Sequence, residues 1–92
     1  MTIDGAARTV TILNAKGLHA RASAKFVKCA AAFDAKVLVS KGGQTVGGTS
    51  IMGLMMLGAA PGSVVELSAT GPDSAVVLNA LEALIRGRFG ED

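Results

Sequence analysis

The spacing of apolar residues changes several times along this chain, and these changes constrain its fold more than any other feature. In residues 8–13 apolar and polar side chains alternate, with Val10 and Ile12 on one face, as in a half-buried strand. From His19 the apolar spacing lengthens to between three and four residues, which is typical of an amphipathic helix. The two patterns follow each other in the order β-α-β-β-α-β-α. This order predicts an α+β fold, an open-faced β-sandwich with a four-stranded antiparallel sheet and three helices on one face.

The predicted elements are short and are separated by glycine, proline and polar residues. Predicted strands cover residues 8–13, 36–40, 44–46 and 64–70, and predicted helices run from His19 to about residue 33, over residues 51–57, and from residue 74 to residue 86. Gly42 and Gly43 predict a hairpin turn. Ser50, and either Asp73 or Ser74, are expected helix N-caps. Residues 1–7 and 88–92 lack periodicity, so we expect a loose tail at each of these places.

The length of 92 residues allows one hydrophobic core and is too short for two. We therefore expect a single domain over residues 1–92, with an ordered core at about residues 8–87. The longest apolar or small-residue stretch, residues 51–61, is far below the ~20 residues of a membrane-spanning helix. With one cysteine and no secretion signal, we expect a cytoplasmic protein without membrane insertion. We also expect it to be a monomer.

Composition excludes several classes of site. One histidine, one cysteine and no carboxylate cluster argue against a metal site. The absence of Tyr and Trp removes most stacking platforms for nucleic-acid bases, and a net charge of +2 is weak for nucleic-acid binding. The charge is uneven, however: residues 1–46 carry seven basic and two acidic side chains, and residues 47–92 carry two basic and five acidic ones. The first half therefore favours an anionic group or an acidic partner.

His19 lies where a glycine-containing loop meets the first predicted helix. The N–H groups of Ala20, Arg21 and Ala22 belong to the first turn and have no acceptor within the helix. Together with the helix dipole they favour an anion at this end, and the Arg21 guanidinium is suited to phosphate oxygens. The position thus predicts a phosphoryl group carried on the His19 ring. The alternative, from position alone, is that His19 only caps the helix.

The segment Gly17-Leu18-His19-Ala20-Arg21-Ala22 resembles the phosphohistidine motif of the HPr family. These proteins are the histidine-containing phosphocarriers of the bacterial phosphoenolpyruvate-dependent phosphotransferase system. Residues 41–43, followed by Ser50 and a short Met-rich helix, are similar to the family's second signature with its regulatory serine. The resemblance runs at similar spacing from about Val10 to Ile85. One departure is Ala22, where the family usually has proline.

The resemblance implies an HPr-like fold and a phosphocarrier function for this chain. His19 would accept a phosphoryl group on Nδ1 from enzyme I, which phosphoenolpyruvate phosphorylates, and would pass it to enzyme IIA-type domains in sugar uptake or a regulatory phosphorelay. Arg21 would steady the group, which the first-turn residues Ala20 and Ala22 would help to bind. No cofactor is required. The chain would be a stoichiometric carrier rather than an independent enzyme.

Further roles follow from the same resemblance. Ser50 would be phosphorylated if the organism has an HPr kinase/phosphorylase, although a helix cap alone explains a serine there. The docking surface for both partners would consist of Lys25, Lys28, Ile51, Met52 and Met55. We expect Met52 and Met55 to point outward, and Leu54 and Leu57 inward. The basic residues could instead be an ordinary solvated helix face.

Two alternatives to a sugar-transport carrier stay open. The first is a member of the same family that serves only the nitrogen-related regulatory branch. The second is a small α+β module that senses an anion at the same helix N-terminus without covalent chemistry. Replacement of His19 by Gln separates the second alternative from a carrier, because only the carrier needs the ring nitrogen.

Overall fold

The computed structural model describes residues 5–91 and contains the predicted order of elements. Its strands are β1 (Gly5–Thr11), β2 (Lys36–Lys41), β3 (Gln44–Gly47) and β4 (Val64–Thr70). Its helices are α1 (Ala20–Ala31), α2 (Ile51–Met56) and α3 (Ser74–Arg86), and a 3₁₀ turn follows at Arg88–Gly90. Most of the predicted boundaries agree with these within one or two residues. None of the helices in residues 5–91 is long and apolar enough to cross a membrane.

The four strands form one antiparallel sheet in the order β1-β4-β2-β3, with the helices on one face, as predicted. The register aligns Val10 with Val65 and Val39 with Leu67, so apolar side chains of neighbouring strands lie side by side. The two-residue turn between β2 and β3 consists of Gly42 and Gly43, both with positive φ, as a tight hairpin requires.

The core lies between one face of the sheet and the helices. Along β4, the side chains of Val65, Leu67 and Ala69 are buried while that of Glu66 is exposed, which is the predicted alternation. The helices cover this face with their apolar stripes, whose buried residues include Phe26 of α1, Leu54 of α2, and Val77, Leu78, Leu81 and Ile85 of α3. This packing fixes how α1 is held against the sheet, and so where its N-terminus lies.

The prediction of a loose tail over residues 1–7 is wrong for residues 5–7, while residues 1–4 lie outside the described part of the chain. Strand β1 begins at Gly5, and its first three residues pair with residues 68–70 of β4. Backbone hydrogen bonds of the ladder hold this extension, and such bonds leave no trace in side-chain periodicity. At its other end, β1 stops at Thr11, two residues before the predicted end at Leu13.

The prediction that residues 88–92 fray is wrong for residues 88–91, which pack against the core. The side chain of Phe89 is 1% exposed. The carbonyl oxygen of Phe89 accepts a hydrogen bond of 2.6 Å from Lys25 Nζ of α1. Arg88 and Phe89 both have left-handed backbone angles, with φ near +55°. A single aromatic anchor has no period, so the sequence pattern did not indicate this contact.

Two predicted N-caps have different outcomes. Ser50 caps α2, because its Oγ accepts a hydrogen bond of 3.0 Å from the N–H of Gly53. Asp73 occupies the N-cap position of α3, but its side chain makes no capping bond. Its carboxylate instead accepts a hydrogen bond of 2.8 Å from the N–H of Asp34, and so joins α3 to the turn before β2.

Candidate functional site

The loop between β1 and α1 is held in place by contacts that only glycine allows at position 17. Gly17 has a φ of +62°, and a Cβ atom there would lie 2.2 Å from the carbonyl oxygen of Ala59. The same carbonyl accepts a hydrogen bond of 2.9 Å from the N–H of Leu18. Asn14, which is fully buried, donates from Nδ2 to the Gly17 carbonyl at 2.8 Å. His19, two positions after Gly17, is therefore presented from a fixed backbone.

His19 is the N-cap residue of α1, but its side chain does not cap the helix. Its backbone is extended, and its carbonyl accepts the N–H of Ser23 at 2.8 Å, which begins the helical ladder. The ring makes its hydrogen bond elsewhere, from Nε2 to Oε2 of Glu91 at 2.7 Å. The interpretation of His19 as a side-chain cap is therefore wrong.

Glu91 is the neighbour of His19 that the sequence reasoning missed. Its Oε1 accepts a hydrogen bond of 3.1 Å from Asn14 Nδ2, while its Oε2 faces the His19 ring. Partial burial acts to raise the pKa of Glu91, but hydrogen bonds from Asn14 and His19 and the positive charge of Lys25 outweigh it and lower that pKa below its usual value. Glu91 is therefore an anion at neutral pH. No sequence signal marks it, since it lies 72 positions from His19.

An open cleft of about 360 Å³ lies beside the His19 ring at the N-terminus of α1. Its lining residues are Ala15, Lys16, His19, Arg21, Lys25, Gly90 and Glu91. Three basic side chains thus face a single carboxylate, which the His19 ring and Asn14 already engage. The first-turn N–H groups of α1 add partial positive charge at the same end of the helix. The cleft is therefore suited to a small anion such as a phosphoryl group.

Of the predicted phosphate-binding residues, Arg21 lines this cleft, while Ala20 and Ala22 do not. The side chain of Ala22 is fully buried against the core, so this residue can offer the cleft only its backbone N–H. A proline at position 22 would lack that N–H. The departure from the family pattern therefore leaves one more potential donor at the helix N-terminus.

The predicted docking residues of α2 lie outward. The exposed fractions of Met52 and Met55 are 68% and 40%, and that of Ile51 is 40%, whereas Leu54 and Leu57 are buried as predicted. Met56, which was not predicted to take part, is 75% exposed. A second shallow cleft, lined by Lys16, Leu18, His19, Met55, Gly58, Ala59 and Ala60, joins this apolar surface to the histidine.

Of the remaining predicted site residues, Lys28, Ser50, Ile51 and Met52 line neither cleft. Lys28 is exposed in the last turn of α1, and Ser50 is exposed at the start of α2. Lys25, in contrast, lines the anion cleft and also holds the 88–91 segment through the Phe89 carbonyl. Within residues 5–91, no group of three or more His, Cys, Asp and Glu side chains could hold a metal ion.

A family model described as the PTS HPr component phosphorylation site matches residues 6–87 of the chain. The chain belongs to the HPr family. Its resemblance to these phosphotransferase-system phosphocarriers extends over both signatures and over nearly the whole sheet and helix arrangement.

Individual HPr proteins are similar over almost their full length. Phosphocarrier protein HPr of Neisseria meningitidis is 51% identical over 91% of this chain and 94% of its own length. Phosphocarrier protein NPr of Shewanella violacea is 38% identical over 91% of this chain and 92% of its own length. The HPr-C-His structure from Thermoanaerobacter tengcongensis has a TM-score of 0.91 at 44% identity, covering 95% and 98% of the two chains. An HPr dimer from the same organism has a TM-score of 0.76 at 45% identity, covering 89% and 94%.

Proposed function

We propose that this HPr-family chain accepts a phosphoryl group from phosphorylated enzyme I on Nδ1 of His19 and passes it to enzyme IIA-type domains. The observation that carries the proposal is the position of the His19 ring: it is bonded through Nε2 to Glu91, beside a cleft lined by Lys16, Arg21 and Lys25. The nitrogen not engaged by Glu91 is Nδ1. Because His19 lines the cleft together with Lys16, Arg21 and Lys25, a phosphoryl group on its ring would have cationic side chains nearby.

The chemistry needs little beyond position and charge. The Nδ1 lone pair attacks phosphorus in line, the bond from phosphorus to the donor residue breaks, and its electron pair stays on the donor. The phosphoryl oxygens carry negative charge throughout, and the Arg21 guanidinium provides planar donors for two of them. Transfer to the acceptor is the reverse process, in which the electron pair returns to Nδ1. Enzyme I and the acceptor supply the other half of each site, so His19 works as a carrier.

The first test is phosphorylation by the purified donor system. The protein is incubated with enzyme I, magnesium and phosphoenolpyruvate, and its mass is measured alongside that of His19→Ala. We expect one acid-labile phosphoryl group on the wild type and none on the variant. Circular dichroism of both proteins controls for folding. No adduct on the wild type, with an enzyme I preparation that phosphorylates another HPr, would overturn the proposal.

The choice of acceptor is a separate question, because the similar proteins include both an HPr and an NPr. The phosphorylated protein is mixed in turn with a sugar-permease IIA domain and with a nitrogen-branch IIA domain. We expect transfer to the sugar-permease domain. Transfer only to the nitrogen-branch domain would support the purely regulatory alternative instead.

The non-covalent alternative is tested with His19→Gln. An anion-sensing module would keep its affinity for inorganic phosphate in this variant, since Arg21 and the first-turn N–H groups are intact. A carrier would lose phosphoryl acceptance completely. Isothermal titration with phosphate and the mass assay, applied to one preparation, separate the two functions.

Docking of both partners is proposed for the surface that comprises Lys25, Lys28, Ile51, Met52 and Met55. The exposed side chains of α2 and the shallow cleft between Met55 and His19 support this surface. Flexible methionine side chains suit a surface that meets different partners in turn. Ser50 is exposed beside it. Its phosphorylation by an HPr kinase/phosphorylase would place about two negative charges at the surface and weaken the approach of enzyme I.

A Ser50→Asp variant tests this regulation, with Ser50→Ala as its matched control. We expect Ser50→Asp to be phosphorylated more slowly by enzyme I. Ser50→Ala should keep the wild-type rate while losing about 1 kcal/mol of stability, since its cap bond to Gly53 is gone. Equal rates for the two variants would exclude a charge effect at this position.

The chain is also proposed to work as one domain over residues 1–92 and as a monomer in the cytoplasm. One small surface has to bind donor and acceptor in turn, so it cannot stay covered by a second copy. Light scattering at the concentration used for the transfer assay tests this. A dimer that still accepts the phosphoryl group would contradict it.

A further inference from the structure

The hydrogen bond between His19 and Glu91 is a feature of the site that phosphoryl binding by itself does not require. Oε2 of Glu91 lies 2.7 Å from Nε2, and Oε1 is tied to Asn14. The side chains of His19 and Glu91 are 26% and 17% exposed, so solvent is partly excluded from the pair. A carboxylate that is anionic at neutral pH can only accept hydrogen bonds. The proton between the two groups therefore belongs to Nε2.

We propose that Glu91 is a positioning residue for phosphoryl transfer, which keeps the ring proton of His19 on Nε2 and the lone pair on Nδ1. This inference rests on the proposed function, because it gives Nδ1 the role of nucleophile. In a neutral imidazole one nitrogen carries the proton and the other the lone pair, and the hydrogen bond at one nitrogen decides which is which. Glu91 therefore determines which ring nitrogen of His19 carries the proton, and it also fixes the plane of the ring.

Glu91 also matches the charge that the transfer creates. When the Nδ1 lone pair forms the bond to phosphorus, Nε2 keeps its proton and the ring becomes a cation. The carboxylate at 2.7 Å faces that cation from the side away from Nδ1. No proton has to leave the ring during acceptance or donation. The same contact thus stabilises the phosphorylated ring without occupying the nitrogen that reacts.

The 88–91 segment is built to hold this carboxylate. Phe89 is buried in the core and its carbonyl binds Lys25, while Asn14 anchors the far oxygen of Glu91. Asn14 is itself fixed by the Gly17 carbonyl, in the loop that presents His19. Both partners of the His19–Glu91 bond are therefore supported from outside the pair. Such support distinguishes a positioned carboxylate from a surface contact that forms by chance.

The first measurement is the tautomer of the His19 ring, read from its ¹⁵N chemical shifts at a pH where the ring is neutral. We expect the wild type to carry the proton on Nε2. In Glu91→Gln the amide can either donate or accept, and in Glu91→Ala the partner is absent, so the Nδ1–H form should become populated in both. Glu66→Gln is the matched control, because it makes the same chemical change at an exposed position on the sheet.

The second measurement is the rate of phosphoryl acceptance, with two donors. One is phosphorylated enzyme I. The other is phosphoramidate, a small donor from which Nδ1 takes the phosphoryl group while the P–N bond breaks and ammonia leaves. We expect Glu91→Gln and Glu91→Ala to react about three- to tenfold more slowly with both donors, the range expected for one partly exposed hydrogen bond. Glu66→Gln should react at the wild-type rate.

The outcomes separate this inference from the proposed function. An unchanged tautomer, or an unchanged rate with phosphoramidate, would overturn the positioning role of Glu91. A slower reaction with enzyme I alone would also overturn it, and would make Glu91 a docking residue. If enzyme I does not phosphorylate even the wild type, the proposed function fails. The ¹⁵N shifts and the phosphoramidate rates still test Glu91 in that case.

Discussion

At the residue scale, the position of His19 depends on a glycine two positions before it. Gly17 combines a left-handed backbone with an approach to the Ala59 carbonyl that leaves no room for a Cβ atom. Gly58 has nearly the same φ, +65°, but open space around its Cβ position. Comparing Gly17 with Gly58 therefore separates two reasons for a glycine: a left-handed backbone angle, and an atom too close for a Cβ.

Gly17→Ala is expected to destabilise the protein by about 3 kcal/mol, since it adds a backbone clash to the strained angle. Gly58→Ala should cost only about 1 kcal/mol, for the angle alone. Urea unfolding of both variants gives the two values. If both variants lose the same free energy of unfolding, the loop can move away from Ala59 at little cost. The inference that the loop holds His19 in a fixed position would then be wrong.

Arg21 is the cation that we propose to bind the phosphoryl group, because it lines the cleft and belongs to the first turn of α1. We expect Arg21→Ala to lower the rate of phosphoryl acceptance from enzyme I about tenfold to a hundredfold, below the loss for an enclosed oxyanion site because the cleft is open. Lys36→Ala removes one positive charge at an exposed position on β2 and is the control. A comparable loss in both variants would indicate a general charge effect instead.

The sequence predicted His19, Arg21 and Lys25 together because they lie within one helix turn or two of each other. Glu91 and Asn14 were not predicted, since their contacts with the site are tertiary. Glu91 meets His19 across 72 positions, and Asn14 shows only as an ordinary loop residue. The spacing of residues along the sequence indicates which side chains are neighbours on one helix or strand. It does not indicate contacts with side chains that are distant in sequence.

At the element scale, the 88–91 segment depends on Phe89. Its side chain is buried in the core, while two successive left-handed residues turn the backbone so that Glu91 reaches the histidine. Backbone of this kind is unfavourable for residues with a side chain. The burial of one aromatic ring offsets that penalty, so the segment should be sensitive to the loss of this ring.

Phe89→Ala is expected to lower the free energy of unfolding by about 3 kcal/mol, as for other buried aromatic truncations. It should also release Glu91 from His19. Amide hydrogen exchange of residues 88–91 then accelerates, and the His19 ¹⁵N shifts change as in Glu91→Ala. Arg88→Ala, at an exposed neighbour in the same turn, should leave both readouts near wild type. Protected amides in Phe89→Ala would contradict the anchoring role.

The helices and the middle of each strand were predicted because their apolar spacing is regular over several residues. The β4 pattern, with Val65, Leu67 and Ala69 on one face, appears unchanged in the structure. The start of β1 and the 88–91 segment were missed for a physical reason. The first is held by backbone pairing and the second by a single anchor, and neither produces a repeat.

At the scale of the whole molecule, the lowered pKa of Glu91 links stability to pH. Its carboxylate is stabilised in the folded state by Asn14 and His19. A carboxyl group whose pKa is lower when folded contributes stability above its unfolded pKa, and loses it as the pH falls through the folded value. The ordinary pKa of a glutamate side chain is 4.5. The contribution is therefore complete above about pH 4.5 and disappears below it.

The test compares the unfolding free energies of the wild type and Glu91→Gln between pH 3 and pH 7. The other carboxyl groups are common to both proteins, so their titrations cancel in the difference. We expect the wild type to be more stable than Glu91→Gln at pH 7. The difference between their unfolding free energies should narrow as the pH falls below 4.5. A gap independent of pH would show that the folded state does not stabilise the ionised form.

The contact between His19 and Glu91 also has a consequence for the order in which a molecule matures. During synthesis His19 is added 72 residues before Glu91. An incomplete polypeptide therefore contains the His19 imidazole but not the Glu91 carboxylate. Cleavage by a protease after Gly87 would return a finished molecule to that condition while sparing all four strands and three helices. The shortened molecule would keep its sheet and its histidine but would lack the carboxylate that we propose positions the ring.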